Sequence, residues 1–232
     1  MVCPEMENLL AFGCLVLTLA LYWLAKKLYR RTGSWWFAPL LAVPLLVIGA
    51  VVAGHIPYHT YFQDTHWLSW LLGPATVAFA IPIYEQRQII RKHALSLSCG
   101  VLVAMPVAVM SSVWLARAFG LSELLQKSLA PRSISTPFAM ATASSIGAPP
   151  DLTAVFVVIT GVAGMLLGEL MLMLLPLRSR LARGALLGAA AHGAGTAKAN
   201  ELGAEEGVVA SLTMMLGGIA TVFAAPLIAW FV

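Results

Sequence analysis

Six continuous apolar runs, each long enough to cross a bilayer as a helix, dominate this sequence. A spanning helix needs about 20 predominantly apolar residues, whereas the strands of a membrane barrel alternate apolar and polar residues. The runs do not alternate, and the sequence therefore predicts an all-α, multi-pass integral membrane protein. The predicted spans are Leu9–Ala25, Trp36–Gly54, Leu68–Tyr84, Ala94–Ala116, Leu152–Leu175 and Val208–Val232.

The low charge content excludes a water-soluble domain. Charged residues make up 10% of the 232 residues, whereas an ordinary globular domain has roughly 25%. The loops between six spans leave no room for a soluble catalytic domain, and the sequence contains no P-loop, HExxH or GxSxG motif. We therefore expect one integral membrane domain surrounded by lipids, with no enzymatic activity, no cofactor, no metal site and no nucleic-acid partner.

Three clusters of basic residues determine the predicted topology. They lie at 26–31, 87–92 and 178–183, and each is next to a predicted span. Because cytoplasmic loops carry an excess of Lys and Arg, placing these clusters inside gives six crossings with both termini outside. Arg117, Lys127 and Arg132 then lie on the outer side with only Glu123 to offset them, which conflicts mildly with the rule.

Two further segments, Pro131–Pro150 and Gly184–Gly203, are moderately apolar and are interrupted by Pro or Gly. If the first one crossed the bilayer, the cluster at 178–183 would lie outside. Each segment is therefore predicted to be re-entrant from its own face, or to cross only together with the other. Such a pair is typical of transporters built from inverted repeats. An internal similarity at an offset of 60 residues, in which Thr136 corresponds to Thr196, agrees with a repeat, although chance explains several such matches.

The first interrupted segment has the chemistry of an anion site. Pro137 cannot continue a helix, so a helix must break or begin next to it. The free N–H groups of that helix start must face protein, water or a ligand, and a helix N-terminus attracts anions. The candidate substrate-binding residues here are Arg132, Ser133, Ser135 and Thr136. The alternative is a kinked packing helix whose hydroxyls bond their own backbone.

The second interrupted segment combines glycines with ionisable side chains, which are costly inside a membrane and tend to be functional there. Its candidate substrate-binding residues are His192, Thr196, Lys198 and Asn200, and the candidate proton carriers are His192, Glu201 and the more distant Glu169. An unperturbed His titrates near physiological pH, which favours His192 as the carrier. The alternatives are a capping or packing role for His192, a helical Lys198–Glu201 pair, and a Glu169 side chain that reaches the membrane surface.

Several of these residues also resemble the signatures of the LrgB/CidB family of membrane proteins. The matching stretches are Leu71–Ala78, Ile81–Tyr84, Pro131–Ser133, Ser135–Pro137, His192–Gly193, Gly195–Ala197 and Glu201. They occur in the family's order and cover most of the chain after about residue 35. Family proteins often have Lys at the position of Arg132, a difference that keeps the charge but changes its geometry.

The resemblance implies a function and partners that spacing alone does not. Family members pair with a smaller LrgA/CidA-like membrane protein and were first described as holin-like regulators of murein hydrolase export and cell lysis. A chloroplast relative moves glycolate and glycerate, and bacterial relatives are linked to pyruvate uptake. The family is also similar in fold plan to elevator-type transporters. The resemblance thus implies a bacterial inner-membrane protein, with residues 1–67 as two scaffold helices and residues 68–232 as the transport core.

Two functions remain open at this point. The first is a proton-coupled secondary transporter of a small monocarboxylate such as glycolate, pyruvate or lactate, which acts as a homo-oligomer, expected to be a dimer, with an LrgA/CidA-like partner. The second is a holin-like regulator of murein hydrolase export without stoichiometric transport. Polar residues concentrated in two short helix breaks favour the transporter, because a large non-selective pore requires a polar stripe along whole helices.

Overall fold

The computed structural model describes residues 4–78, 80–85 and 87–232, and all regular secondary structure within these ranges is helical. The helices form two compact units, Met1–Ala75 and Thr76–Val232. A short 3-10 turn covers Trp35–Phe37. The α-helices are α1 (Pro4–Thr32), α2 (Pro39–Ala53), α3 (Tyr58–Trp70), α4 (Leu72–Ala78), α5 (Ala80–Glu85), α6 (Arg87–Ala118), α7 (Glu123–Leu129), α8 (Thr136–Ser145), α9 (Pro150–Leu174), α10 (Arg180–Leu202), α11 (Ala204–Phe223) and α12 (Ala225–Phe231).

Four helices in the described ranges are long and apolar enough to cross a membrane. They are Glu7–Thr32 within α1, and the whole of α6, α9 and α11. These helices correspond to the first, fourth, fifth and sixth predicted spans, so the prediction of a multi-pass helical membrane protein is confirmed. The second predicted span forms the 15-residue α2, which is a shorter apolar helix. The number of six full crossings stays a prediction.

Two predicted spans are divided where the sequence contains proline. The run Leu68–Tyr84 is interrupted at Leu71, between the end of α3 and the start of α4, with Gly73-Pro74 in the first turn of α4. Residue 79, between α4 and α5, lies outside the described residues. The run Val208–Val232 is divided at Ala224, two residues before Pro226. Proline lacks the N–H that would continue the hydrogen-bond ladder, and its ring clashes one turn back. An apolar run therefore shows that a segment lies in the membrane without showing that it is one helix.

The first unit consists of α1, α2 and α3, and polar contacts join α1 to α3. Glu7 Oε1 lies 2.9 Å from His59 Nε2 and accepts a hydrogen bond of 3.3 Å from Thr60 Oγ1. Gln63 Nε2 donates a hydrogen bond of 2.9 Å to Asn8 Oδ1. These contacts tie the start of α1 to α3.

In the second unit, glycines bring α9, α10 and α11 into close contact. A Cβ atom at Gly164 of α9 would lie 2.4 Å from the Ala190 carbonyl oxygen of α10. A Cβ atom at Gly188 would lie 2.3 Å from the Ala210 carbonyl oxygen of α11. Only glycine permits such approaches, and small residues are the usual means of packing helices inside a membrane.

Helix α10 folds back on itself at His192. The backbone there leaves the helical region, with φ of 44° and ψ of −118°. Residues 187 and 195 would be about 12 Å apart along a straight helix, yet a Cβ atom at Gly195 would lie 1.9 Å from the Leu187 carbonyl oxygen. At the other end, Arg180 Nη1 lies 3.2 Å from Glu205 Oε2. The start of α10 therefore lies close to the start of α11, and His192 is the tip of a helical hairpin.

The segment Pro131–Pro150 also returns to the end of the bundle from which it starts. Ala130 and Ile146 belong to one buried cluster with Val113, near the C-terminal end of α6. Between them, Ile134 packs in another cluster with Val101, nearer the middle of α6. The chain therefore runs inward from Ala130 and returns along α8. Both interrupted segments thus follow the backbone course of a re-entrant segment, while the membrane face from which each enters stays a prediction.

Candidate functional site

The two interrupted segments meet at His192. A Cβ atom at Gly161, in the middle of α9, would lie 3.9 Å from His192 Nδ1. The Ser133 backbone and the Arg132 guanidinium both lie close enough to the imidazole to act on it electrostatically. We call Arg132, Ser133, Ser135, Thr136 and His192 the central junction. These are five of the residues that the sequence identifies as site candidates.

Helix α8 begins at Thr136, where Pro137 predicts a helix start. Ser135 is its N-cap residue with extended backbone, and its side chain makes no capping hydrogen bond. The first N–H groups of a helix have no partner within the helix, and they give this end a partial positive charge. The prediction of a helix start at this position is confirmed, and its N-terminus belongs to the central junction.

Two buried polar atoms of the central junction have no hydrogen-bond partner among the described residues. They are Ser135 Oγ and His192 Nε2, in side chains that are 7% and 3% exposed. Leaving a buried polar group unpaired costs about 1–3 kcal/mol, so native structures seldom contain one without a reason. Each of the two atoms is therefore a candidate for a hydrogen bond to a ligand.

Arg132 carries the positive charge of the central junction. Its Nε donates a hydrogen bond of 2.8 Å to Ser112 Oγ on α6, and its Nη1 donates one of 3.2 Å to Thr160 Oγ1 on α9. Both acceptors are neutral, and no carboxylate of the described ranges lies within ion-pair distance of the guanidinium. The charge of Arg132 and the N-terminus of α8 therefore make the junction electropositive, which favours an anion.

The remaining candidates of the second segment lie along the returning arm of α10. Lys198 Nζ is paired with Glu169 Oε1 at 3.1 Å and with Glu201 Oε2 at 3.3 Å. The structure thus joins both predicted alternatives for these residues, a helical Lys198–Glu201 pair and a role for Glu169, in one ion cluster between α9 and α10. Each of the two carboxylates is close to half exposed, as expected for a cluster at the edge of the bundle.

Thr196 and Asn200 are engaged within α10 and with α11. Asn200 Nδ2 donates a hydrogen bond of 2.9 Å to the Thr196 carbonyl oxygen, and its Oδ1 fills the space beside Gly207. Thr196 Oγ1 lies 3.9 Å from Met214 Sδ, at the limit of a weak hydrogen bond. The contacts described for these two residues are therefore with α10 and α11, and none of them is with the central junction.

Ser112 and Thr160 are the polar neighbours of the junction that the sequence does not reveal. Each is a single hydroxyl residue inside an apolar span, where the usual partner is the carbonyl one turn back. Nothing in the local pattern distinguishes them from Thr153 or Ser111 on the same helices. Only the meeting of three chain segments at Arg132 identifies them.

Sequence comparisons agree with the resemblance. The model of the LrgB-like family matches residues 18–231. YwbG of Bacillus subtilis is 39% identical over 94% of this chain and 96% of its own length. The Antiholin-like protein LrgB of Bacillus subtilis is 30% identical over 93% of each chain, and the Holin-like protein CidB of Staphylococcus aureus (strain Mu50) is 29% identical over 88% of this chain and 90% of its own. No solved structure matches the chain.

The family match covers the central junction, both interrupted segments, three of the four long helices in full and more than half of Glu7–Thr32. Its extent and the near full-length similarity to YwbG leave no large part of the chain outside the match. The chain therefore belongs to the LrgB-like family of multi-pass membrane proteins.

Proposed function

We propose that this protein is a proton-coupled secondary transporter of small monocarboxylates of the glycolate, pyruvate or lactate type, with the central junction as its substrate site. The observation that carries the proposal is the convergence of an unneutralised Arg132, the α8 N-terminus and two unpartnered buried atoms where the interrupted segments meet. A carboxylate matches this set, because it supplies one negative charge and up to four hydrogen-bond acceptor positions.

The junction offers each part of such a substrate a complementary group. The guanidinium of Arg132 forms charge-assisted hydrogen bonds with a carboxylate, and these are roughly twice as strong as hydrogen bonds between neutral groups. The N–H groups of the first turn of α8 add further donors. Ser135 Oγ and His192 Nε2 then bond the hydroxyl or carbonyl of the substrate. Substrates that lack this hydroxyl or carbonyl oxygen leave Ser135 Oγ and His192 Nε2 unpaired and bind less tightly.

Proton coupling follows from the proximity of His192 to Arg132. A proton on His192 is repelled by the guanidinium, and a carboxylate bound between them removes that repulsion. Proton and carboxylate binding therefore favour each other. Carrying the proton also removes the cost of moving the anion against a negative-inside potential, about 2.3 kcal/mol per charge per 100 mV. Glu201 and Glu169 are the second and third candidate carriers, and their pairing with Lys198 favours His192 over both.

The fold-back of the two interrupted segments supports a carrier mechanism. Inverted-repeat transporters bind substrate near the middle of the bilayer, between segments that enter from opposite faces, and alternate access by moving one repeat. The tip at His192 lies beside Gly161, halfway along α9, and Arg132, four residues before the start of α8, reaches the adjacent Thr160. We further propose that the protein works in a bacterial inner membrane, as a homodimer and with an LrgA/CidA-like partner.

Uptake into proteoliposomes tests this function. We expect purified protein, reconstituted with and without an LrgA/CidA-like protein, to accumulate labelled pyruvate or glycolate when an inward proton gradient is imposed. Ser135→Ala and His192→Gln each remove one hydrogen bond to the hydroxyl or carbonyl of the substrate, which should cost about 0.5–1.5 kcal/mol, or roughly 2- to 13-fold in affinity. His192→Gln should in addition lose the response to the proton gradient.

Ser128→Ala is the matched control for Ser135→Ala. Ser128 is also buried, but its Oγ donates to the Leu124 carbonyl oxygen of its own helix, so its loss should leave uptake unchanged. Equal effects of the two alanine variants would reject the site. Uptake that ignores the proton gradient and follows sodium would reject the coupling, and normal proton-driven uptake by His192→Gln would move the role to Glu201 or Glu169.

The alternative function is holin-like regulation of murein hydrolase export, which the names of two relatives, Holin-like protein CidB and Antiholin-like protein LrgB, favour. A holin-like assembly forms openings that do not discriminate among solutes, whereas a carrier saturates. Release of a large entrapped dye from the same proteoliposomes, with no saturable uptake of any monocarboxylate, would establish this alternative in place of the transporter.

A further inference from the structure

We propose that Ser112 and Thr160 are positioning residues for the substrate, which hold the Arg132 guanidinium in place without neutralising its charge. The inference rests on the proposed function of the central junction and adds to it one residue near the C-terminal end of α6 and one near the middle of α9. Their role is to decide which edge of the guanidinium is left for an anion.

Ser112 has a fixed hydrogen-bond polarity. Its Oγ lies 2.7 Å from the Ala108 carbonyl oxygen, to which it donates its only proton. The same Oγ therefore acts as an acceptor towards Arg132 Nε, at 2.8 Å. The Ser112 side chain is buried, with 4% of the residue exposed, so water does not compete for this acceptor. The Nε side of the guanidinium is thereby fixed to α6.

Thr160 fixes a second nitrogen of the same group. Arg132 Nη1 donates to Thr160 Oγ1 at 3.2 Å, and Nη2 has no protein partner in the described ranges. Because a guanidinium is planar and rigid, two fixed nitrogens determine the direction of the third. Three N–H groups of the guanidinium, one on Nη1 and two on Nη2, are not used by Ser112 or Thr160, and a bidentate carboxylate needs two.

Neutral acceptors suit a binding site better than carboxylates would. A carboxylate partner would cancel the charge of Arg132 and compete with the substrate for the same N–H groups. Hydroxyl oxygens satisfy two donors and leave the full charge for the ligand. Arg132 is half-buried and keeps its attraction for anions. Lys198, in contrast, is paired with two carboxylates.

The test compares hydroxyl variants in the proteoliposome assay with labelled pyruvate. Ser112→Ala and Thr160→Val should each raise KM roughly 2- to 10-fold, the equivalent of one ordinary hydrogen bond, while Vmax per folded protein stays near that of the wild type. A folding defect lowers Vmax and leaves KM unchanged, so the two effects are separable. Thr160→Ser keeps the hydroxyl and should restore the wild-type KM.

The chain offers matched controls for both variants. Ser111 is the neighbour of Ser112 and donates to the same Ala108 carbonyl oxygen, but within the described part of the chain it makes no hydrogen bond to Arg132. Thr153 is buried on α9 and bonds only the Pro149 carbonyl oxygen within the described part of the chain. Ser111→Ala and Thr153→Val should therefore leave KM unchanged.

A double variant separates positioning from an independent effect. In the Arg132→Gln background, Ser112→Ala should cause no further rise in KM, because the group that it positions is gone. Wild-type KM in both hydroxyl variants, or full additivity with Arg132→Gln, would overturn the inference while leaving the proposed function intact. Absence of saturable pyruvate, glycolate and lactate uptake by the wild-type protein would instead overturn the proposed function, and the inference with it.

Discussion

His192 combines a chemical role with a backbone conformation that favours glycine. Its φ of 44° and ψ of −118° lie in a region that side chains with a Cβ atom rarely adopt, at a cost of order 1–3 kcal/mol. The next residue is Gly193, and a Cβ atom there would meet nothing within 4 Å. The strained position therefore carries an imidazole side chain, and the glycine lies one residue further along the chain. Such placement is expected where the side chain itself is needed.

This strain leads to a stability prediction. His192→Gly and His192→Ala both remove the imidazole, but only glycine relieves the backbone, so the glycine variant should be more stable by about 1–2 kcal/mol. Thermal unfolding in detergent measures the difference. Ala191 is the control, because it is buried in an ordinary helical turn and Ala191→Gly should lose about 1 kcal/mol. Equal stability of the two His192 variants would mean that the backbone is unstrained there.

Individual site residues were predictable where local chemistry singles them out. Pro137 predicts the helix start at Thr136, and an ionisable His192 among glycines predicts a special position. The prediction that Lys198 binds the substrate did not include its ion pair with Glu169. Spacing along one helix cannot show that a carboxylate on another helix reaches the lysine. Ser112 and Thr160 were beyond the sequence for the same reason. Contacts between distant segments depend on how helices pack, and no local pattern encodes them.

At the scale of helices, α10 illustrates how glycine content can indicate a break without giving its geometry. Glycines at 193 and 195 predict an interruption. The sharp reversal depends in addition on close packing of both arms, since Gly195 meets the Leu187 carbonyl oxygen and Gly188 meets α11. Proline divides the predicted spans at 68–84 and 208–232 in a way that hydropathy does not register. Element type was therefore predictable, whereas continuity was not.

Two helical glycines provide a matched test of this packing. A Cβ atom at Gly188 would lie 2.3 Å from the Ala210 carbonyl oxygen, whereas one at Gly100 of α6 would meet nothing within 4 Å. We expect Gly188→Ala to destabilise the protein by about 1–3 kcal/mol through overpacking. Gly100→Ala should stabilise it by up to about 1 kcal/mol through helix propensity. Thermal unfolding checks both, and a stabilising Gly188→Ala would contradict the close contact between α10 and α11.

At the scale of the whole molecule, the structure accounts for most of the mild conflict with the positive-inside rule. Of the three cations predicted on the outer side, Lys127 pairs with Glu123 at 2.5 Å. The hydrogen bond and the charge of Lys127 hold the pKa of Glu123 below its ordinary value, so the pair stays ionised. Arg132 is withdrawn into the central junction. Arg117 donates to the Phe231 carbonyl oxygen and lies over its ring. Few free positive charges therefore oppose the predicted orientation.

The orientation itself is the last prediction, and two exposed serines in short connections test it. Ser122 precedes α7, on the predicted outer side, and Ser179 precedes α10, in the predicted cytoplasmic cluster at 178–183. In a variant whose three native cysteines are replaced, Ser122→Cys should react with a membrane-impermeant maleimide in intact cells. Ser179→Cys should react only after permeabilisation. Both substitutions are nearly isosteric and exposed, so neither should disturb the fold.

The pair of serines is informative because its labelling pattern depends on whether the segment Pro131–Pro150 crosses the bilayer. Between Ser122 and Ser179 the chain contains the α9 span and the segment Pro131–Pro150. One crossing puts the two cysteines on opposite sides, as the fold-back of Ala130 and Ile146 to the same cluster requires. A second crossing would put them on the same side. Labelling of both from outside would therefore show that Pro131–Pro150 traverses the bilayer, and the central junction could not then lie between two re-entrant segments from opposite faces.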